Sequence, residues 1–198
     1  MYITDLQYFG TIQYIQSLMI EKDIVFDNAN AFTKMSFKNR TIIATAQGPL
    51  SLSIPIIGGR AQKKPLQDIK IDYQTAWHKQ HFKSLASNYM RSPYFEYYES
   101  DLQAMYQKQT IYLLDFLLTT NSWVKKQLRT HWNVVENLTS IENRTYDAWL
   151  PKNYDQIPDP IVYQQVFEEK TGFLPNLSIL DLLFCCGGRQ ANALLMPS

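Results

Sequence analysis

Several motifs that define common enzyme classes are missing from this sequence. It has no GxGxxG and no GxxxxGK[ST] pattern, so the usual dinucleotide and P-loop phosphate cradles are excluded. HExxH, CxxC and Gly-x-Ser-x-Gly are also absent, and only three histidines are present, which argues against a histidine-rich metal centre. The sequence therefore predicts no metal site, and it identifies no cofactor.

Strong charge and long apolar runs are absent too. The net charge of +1 gives no general attraction to nucleic acid or anionic membranes, so nucleic acid is not an expected partner. The most apolar run, 111–118, contains Asp115 and is far shorter than the roughly 20 residues of a membrane span. The first residues lack a cationic segment followed by an apolar one. We therefore expect no signal peptide and no membrane insertion.

Cysteine is scarce. Cys185 and Cys186 are the only two, and adjacent cysteines do not form a disulfide framework, which fits a reducing compartment. Together with the missing signal peptide, this predicts a cytoplasmic protein. The pair has two interpretations: a site for soft metals or thiol chemistry, or two small buried apolar side chains.

What is present is an ordinary globular composition. The chain of 198 residues is 45% hydrophobic, enough for one buried core, and we predict a single domain over residues 1–198. A strand pattern at 2–4, helical spacing from Ile12 and a buried-strand pattern at 24–26 predict a βαβ unit. Two β-rich runs, 40–46 and 50–57, enclose Gly48 as in a hairpin. The predicted fold class is α/β: a short mixed sheet with this βαβ unit and hairpin, flanked by several helices.

Helical spacing recurs through the second half of the chain. Trp77, His81, Leu85 and Tyr89 recur every four residues and predict one buried helix face. Further helices are predicted at 112–118, 123–132 and 177–184, the last ended by Gly187 and Gly188, and 134–141 is expected to return to the sheet.

Three features could contribute to a site. His81 has an ordinary pKa of about 6.5 and suits proton transfer, although its position alone favours a half-buried structural histidine that bonds to a carbonyl. Lys34 and Arg40 could hold an anion, or could simply pair with Asp27. The basic segment 60–91 is either a solvated surface or part of an anion site.

The sequence resembles the WbqC-like proteins, in particular the branch common in Bacteroidetes. The resemblance rests on these motifs, in the family's order: Tyr8-Phe9-Gly10-x-Ile12-Gln13-Tyr14, Lys34-x-Ser36-Phe37-Lys38-Asn39-Arg40, Leu52-Ser53-Ile54-Pro55, Trp77-x-x-x-His81, Ser92-Pro93-Tyr94-Phe95-Glu96 and Gly172-Phe173-Leu174-Pro175-Asn176. It departs from that branch at Asn30-Ala31, near Trp149 and at Cys185, where the branch carries other polar or charged residues.

The resemblance implies a setting in surface-polysaccharide (O-antigen-type) synthesis. It implies an enzyme that transfers an amino-acyl or similar group to a nucleotide-linked sugar, with an anionic small molecule, a nucleotide-sugar or a carboxylate, as its partner. Within this hypothesis His81 is the catalytic residue, and the substrate-binding residues are Gln7, Tyr8, Lys34, Asn39, Arg40 and Trp77. The alternative is a non-catalytic module that binds a ligand or a partner, which the departures from the family pattern favour.

Overall fold

The computed structural model describes residues 2–21, 23–26, 32, 36–59, 62–134 and 151–196. They form the predicted α/β fold, built from short strands and several helices. The strands are β1 (Tyr2–Thr4), β2 (Asp23–Phe26), β3 (Arg40–Thr45), β4 (Gly48–Ser53) and β5 (Asn133–Val134). The helices are α1 (Ile12–Ile20), α2 (Trp77–Tyr89), α3 (Phe95–Gln107), α4 (Leu113–Leu128), α5 (Glu168–Thr171) and α6 (Ile179–Leu195).

The N-terminal βαβ unit is confirmed. β1 and β2 pair in parallel, with Ile3 opposite Val25, and α1 connects them. β5 extends this sheet on the other side of β2. The predicted return to the sheet thus begins at Asn133, while residues 135–141 lie outside the described part of the chain.

The predicted hairpin is confirmed as well. β3 and β4 pair antiparallel from Arg40 opposite Ser53 to Thr45 opposite Gly48. Gly48 has a φ of 107°, a conformation that side-chain-bearing residues rarely adopt, so glycine is needed at this turn. Among the described residues, the parallel and the antiparallel strands form two separate sheets rather than one mixed sheet.

The prediction of two helices at 112–118 and 123–132 is wrong, because α4 runs unbroken from Leu113 to Leu128. The polar residues between the two predicted helices were interpreted as a break in the helix. In the fold, the Thr120 hydroxyl donates to the Leu117 carbonyl and the Thr119 hydroxyl donates to the Asp115 carbonyl. Because these hydroxyls bond to the preceding turn, they do not interrupt the helix.

The predicted helix end at Gly187 and Gly188 is confirmed at Gly187. Its φ of 73° and ψ of 161° are not helical, so the helix that begins at Ile179 is interrupted there, and a second helical stretch of α6 follows to Leu195. A Cβ on Gly188 would lie 2.0 Å from the Gln127 carbonyl oxygen, so α6 touches the backbone of α4 at this point. The two glycines therefore form a bend and a close helix contact.

The motif loop formed by Tyr8, Phe9 and Gly10 connects the hairpin to α6. Phe9 has a φ of 41°, and its carbonyl oxygen accepts hydrogen bonds from the hydroxyls of Thr41 at 3.1 Å and Ser178 at 2.9 Å. Two separate elements thus hold a backbone conformation that is rare for phenylalanine.

Gly10 in this loop has no room for a side chain. A Cβ there would lie 2.3 Å from a ring carbon of Tyr14. The Gly10 carbonyl accepts the Ile179 N–H at 2.9 Å, which fixes the loop to the first turn of α6. This close packing is the physical reason for glycine at the third position of the motif.

None of the helices in the described ranges has the length and apolar character that crossing a bilayer requires.

Candidate functional site

His81 lies on the buried face of α2, as its spacing with Trp77, Leu85 and Tyr89 predicts. The Tyr8 hydroxyl is 3.0 Å from His81 Nδ1, and the two rings stack with centroids 5.9 Å apart. Tyr8 is 0% and His81 5% exposed. The fold therefore brings two predicted site residues, 73 positions apart in the chain, into direct contact.

The His81 imidazole is neutral near pH 7. Burial is the largest cause and lowers the pKa from 6.5 to about 4, and the nearby His78 lowers it further. A hydrogen bond with the Ser53 backbone acts in the opposite direction. In the tautomer that satisfies both contacts, one ring nitrogen donates to the Ser53 carbonyl while Nδ1 accepts from the Tyr8 hydroxyl.

Tyr106 is a third member of this cluster that the sequence interpretation missed. Its hydroxyl makes a very short hydrogen bond with the Tyr8 hydroxyl, and burial raises the pKa of both phenols. Tyr106 lies on the buried face of α3 among other apolar residues. Nothing in its sequence spacing separates it from an ordinary core tyrosine. We call Tyr8, His81 and Tyr106 the tyrosine–histidine cluster.

Trp77 forms one wall of the tyrosine–histidine cluster. Its ring centroid lies 5.1 Å from that of His81, 6.3 Å from that of Tyr106 and 5.7 Å from that of Phe116. The indole Nε1 is buried without a hydrogen-bond partner in the described chain, a rare state for a buried polar atom. The surroundings of His81 are thus aromatic and apolar, which explains its low pKa.

Arg40 and Asn39 approach the cluster through the end of β4. Arg40 is the pairing partner of Ser53, whose backbone bonds to His81. The Asn39 side-chain amide donates to the Ile54 carbonyl at 2.8 Å, and the Ile54 N–H donates to the Asn39 carbonyl at 2.8 Å. Both residues are partly exposed.

The remaining predicted residues have different positions. Gln7 is buried beside Tyr8, and its side-chain oxygen accepts the Thr11 N–H at 3.4 Å, within the motif loop. Lys34, together with Asn30 and Ala31, lies outside the described residues. The structure thus brings Gln7, Tyr8, Asn39, Arg40, Trp77 and His81 to one region of the fold around the end of β4.

Lys38 is a buried cation that the site prediction did not include. Its ammonium lies 3.0 Å from an Asp5 carboxylate oxygen, with side-chain exposures of 2% and 15%. A buried lysine requires such a partner, because an unpaired charge in the interior is costly. The pair fixes the basic motif to the segment before Tyr8, a role that the sequence pattern around Lys34 and Arg40 did not indicate.

A second polar cluster surrounds the fully buried carboxyl group of Asp181 in α6. The Tyr89 hydroxyl donates to Oδ2 at 2.5 Å, the Tyr163 hydroxyl donates to Oδ1 at 2.7 Å, and the Cys185 thiol lies 3.8 Å from Oδ1. Burial raises the pKa of Asp181 in spite of these donors. Burial and the neighbouring Asp181 also raise the pKa of the Cys185 thiol. A raised pKa disfavours the thiolate, so Cys185 is a poor nucleophile.

Replacing Asp181 with Asn should change how stability depends on pH. Because the folded state raises the pKa of Asp181 above 3.8, the folded protein holds this proton over a range where the unfolded chain has lost it. Stability should therefore fall as pH rises through that range, by up to about 1.4 kcal/mol per pH unit. Urea unfolding at a series of pH values checks this. The Asp181→Asn curve should lack the decline, and parallel curves would contradict the prediction.

Among the described residues, no group of three or more His, Cys, Asp or Glu side chains is arranged to hold a metal ion. The fold and the site thus define an α/β protein with a buried tyrosine–histidine cluster beside a partly exposed arginine. The sequence model of the WbqC-like protein family matches residues 6–150, which contain all the predicted site residues. This chain belongs to the WbqC-like protein family.

Among known proteins, the chain is similar to the uncharacterized protein Rv1507c of Mycobacterium tuberculosis (strain ATCC 25618 / H37Rv). The two are 26% identical, over 94% of this chain and 91% of that protein. No solved structure gives a significant match.

Proposed function

We propose that this protein is a cytoplasmic enzyme of surface-polysaccharide (O-antigen-type) synthesis that transfers an amino-acyl or similar group to a nucleotide-linked sugar. The setting is the one implied by its WbqC-like family. The observation that carries the proposal is the contact between Tyr8 and His81, which joins two family motifs in one buried hydrogen-bonded pair.

The chemistry of such a transfer needs a base. The amine or hydroxyl of the sugar attacks the acyl carbonyl of an activated donor, a new C–N or C–O bond forms, and the bond to the leaving group breaks. A neutral imidazole can take the proton of the attacking group and return it to the leaving group. His81 is neutral near pH 7, but its unprotonated Nδ1 already accepts from the Tyr8 hydroxyl, so in the proposal the Tyr8 hydroxyl takes the proton of the attacking group as it passes its own proton to Nδ1. Tyr8 fixes its orientation through Nδ1, and Tyr106 fixes Tyr8.

The anionic part of the substrate needs a cation near this base. Arg40 is partly exposed and is joined to His81 through Ser53. A guanidinium can bind phosphate or carboxylate through two parallel hydrogen bonds. In the proposal Arg40, with Lys34, holds the diphosphate or carboxylate. Asn39 and Gln7 orient polar groups, and Trp77 packs against the sugar.

Ligand-induced thermal stabilisation tests the binding site. UDP- and GDP-linked sugars and free amino acids would be added to the wild type and to Arg40→Ala and His81→Gln. At a hundredfold excess over Kd, a true ligand should raise the Tm of the wild type by about 5–10 °C. Both variants should remain folded by circular dichroism and should lose this shift.

Matched controls are Arg189→Ala on α6 and His131→Gln before β5, since both residues are exposed. They should keep the full shift. If Arg40→Ala and His81→Gln also keep it, the substrate site lies elsewhere. Mass spectrometry of the same mixtures with an activated acyl donor then reports transfer, which His81→Gln should reduce by about a hundredfold or more.

A second candidate is a binding module without catalysis. It is favoured by the surroundings of His81. Both nitrogens of its ring already have hydrogen-bond partners, Tyr8 and Ser53, and the ring is almost fully buried. A ligand can then meet Arg40 and Asn39 without reaching the imidazole. This candidate predicts that Arg40→Ala loses the thermal shift and that His81→Gln keeps it, with no product formed. Detection of an acylated sugar would rule it out.

A further inference from the structure

A second concave region lies away from the tyrosine–histidine cluster. It is an open groove of about 920 Å³, between the residues that follow α2, Arg91 and Pro93, and the segment 162–166. Its volume is within the range of about 300–1,000 Å³ that is usual for ligand clefts. None of the residues that line the groove belongs to the tyrosine–histidine cluster or to the predicted substrate-binding residues, so the groove is a different region from the proposed transferase site.

One wall of the groove has the pattern of a β-strand without a strand partner. In residues 161–165, Val162 and Gln164 are exposed whereas Tyr163 and Gln165 are buried, the alternation of an extended chain. Within the described chain, no hydrogen bond involves the backbone of residues 161–164. Such unpaired N–H and C=O groups can pair with an added strand.

The inner side of this segment is held firmly. The Tyr163 hydroxyl bonds to Asp181 at 2.7 Å. The Gln165 side chain bonds to both backbone groups of Leu174, with its amide donating at 2.8 Å and its oxygen accepting at 2.8 Å. These buried anchors fix the segment while its outer edge stays open. A preformed edge reduces the entropy that a ligand strand loses on binding.

The groove also has charged and apolar lining groups. Val162 is 67% exposed and offers an apolar contact to a residue on an added strand. Glu168 and Glu169, on the first turn of α5, add two carboxylates. One oxygen of Glu168 accepts the Gln165 N–H at 3.1 Å, and Arg91 is the single cation of the lining. The lining therefore favours a ligand with a positive charge near α5.

We propose that this groove binds an extended peptide of a partner protein, which pairs as a β-strand with residues 161–164 and places a Lys or Arg side chain against Glu168 and Glu169. The added strand pairs with the open backbone edge, and its basic side chain forms ion pairs with the two carboxylates. A second copy of this chain is a poorer occupant, because residues 153–167 contain no Lys or Arg that antiparallel pairing could place against Glu168 and Glu169.

Selection from a phage-displayed library of random nine-residue peptides on the full chain tests this proposal. Enriched peptides should alternate β-branched residues and contain Lys or Arg. In fluorescence anisotropy with an enriched synthetic peptide, the double variant Glu168→Gln/Glu169→Gln should bind about tenfold more weakly. The control Glu96→Gln/Glu99→Gln, on the exposed face of α3, should bind as the wild type does.

Hydrogen exchange distinguishes strand pairing from other contacts. Bound peptide should slow amide exchange in residues 161–164 by at least tenfold and leave β3 and β4 unchanged. The proposal is overturned by a selection without enrichment, by binding that the Glu168 and Glu169 substitutions do not weaken, or by binding without protection at 161–164. Dimerisation of the free chain that protects the same segment, measured by sedimentation and exchange, would identify a second copy as the occupant and also overturn it.

Discussion

Lowering the pH from 6.5 to about 4 is expected to reduce the free energy of unfolding by about 3 kcal/mol through His81 alone. Burial lowers the pKa of His81 from 6.5 to about 4, so the unfolded chain binds a proton in this range that the folded protein does not. Stability contributed by the neutral ring is therefore complete above pH 6.5 and is lost as the pH falls. Denaturant unfolding at half-unit pH steps measures the effect.

Substitution isolates His81 from other titrating groups. The difference in unfolding free energy between the wild type and His81→Gln should grow as pH rises from about 4 to 6.5 and then level off. Asp181 acts with the opposite sign over part of this range, since its raised pKa makes stability fall as pH rises. The free energy of unfolding of the wild type can therefore change little with pH even though His81→Gln and Asp181→Asn show opposite pH dependences. A difference between the wild type and His81→Gln that does not vary with pH would contradict a buried, neutral His81 ring.

Replacing Gly188 with Ala should be the most destabilising single-methyl substitution in α6. The added Cβ would lie 2.0 Å from the Gln127 carbonyl oxygen, a backbone atom that cannot move aside as a flexible side chain can. Overpacking in a filled interior costs about 1–3 kcal/mol, and a clash with backbone reaches or exceeds the upper end. We expect a loss of about 3 kcal/mol or more in the free energy of unfolding, measured by urea denaturation.

The same helix provides a control for Gly188. Gln190 is exposed on α6, and Gln190→Ala should change stability by less than about 0.5 kcal/mol. Alanine is intrinsically a better helix residue than glycine, so a free helix would gain stability from Gly188→Ala. A variant as stable as the wild type would show that α4 and α6 do not meet through this glycine.

The local elements were largely predictable from the sequence. Alternating and helical spacing located the βαβ unit, the hairpin and the buried face of α2. The errors were at element ends. The polar residues around Thr120 predicted a break in α4 because their hydrogen bonds to the preceding turn are not visible in sequence. Gly187 was correctly predicted to end a helix, but the second helical stretch that follows to Leu195 was not predicted, because its contact with α4 at Gly188 depends on where α4 passes.

The sequence predicted several residues of the candidate site, but not how they contact one another. The motifs identified Tyr8 and His81 separately, and the fold joins them at 3.0 Å. Tyr106 was not predictable, since its spacing in α3 matches that of a core residue. The burial of Lys38 and Asp181 was not predictable from the sequence either. Each is a charged residue type that the interior accepts only because partners distant in sequence, such as Tyr89 for Asp181, lie beside it.

The sequence by itself determined the class of fold, the order of the elements and the family, because apolar periodicity and short motifs are local properties of the chain. Only the tertiary structure decided which polar groups are buried together, and therefore their protonation. His81 is neutral because aromatic rings from α2, α3 and the motif loop remove water from it. Asp181 retains its proton more strongly because α6 places it in the interior. A pKa depends on the surroundings that packing creates, so residue type and spacing alone do not fix it.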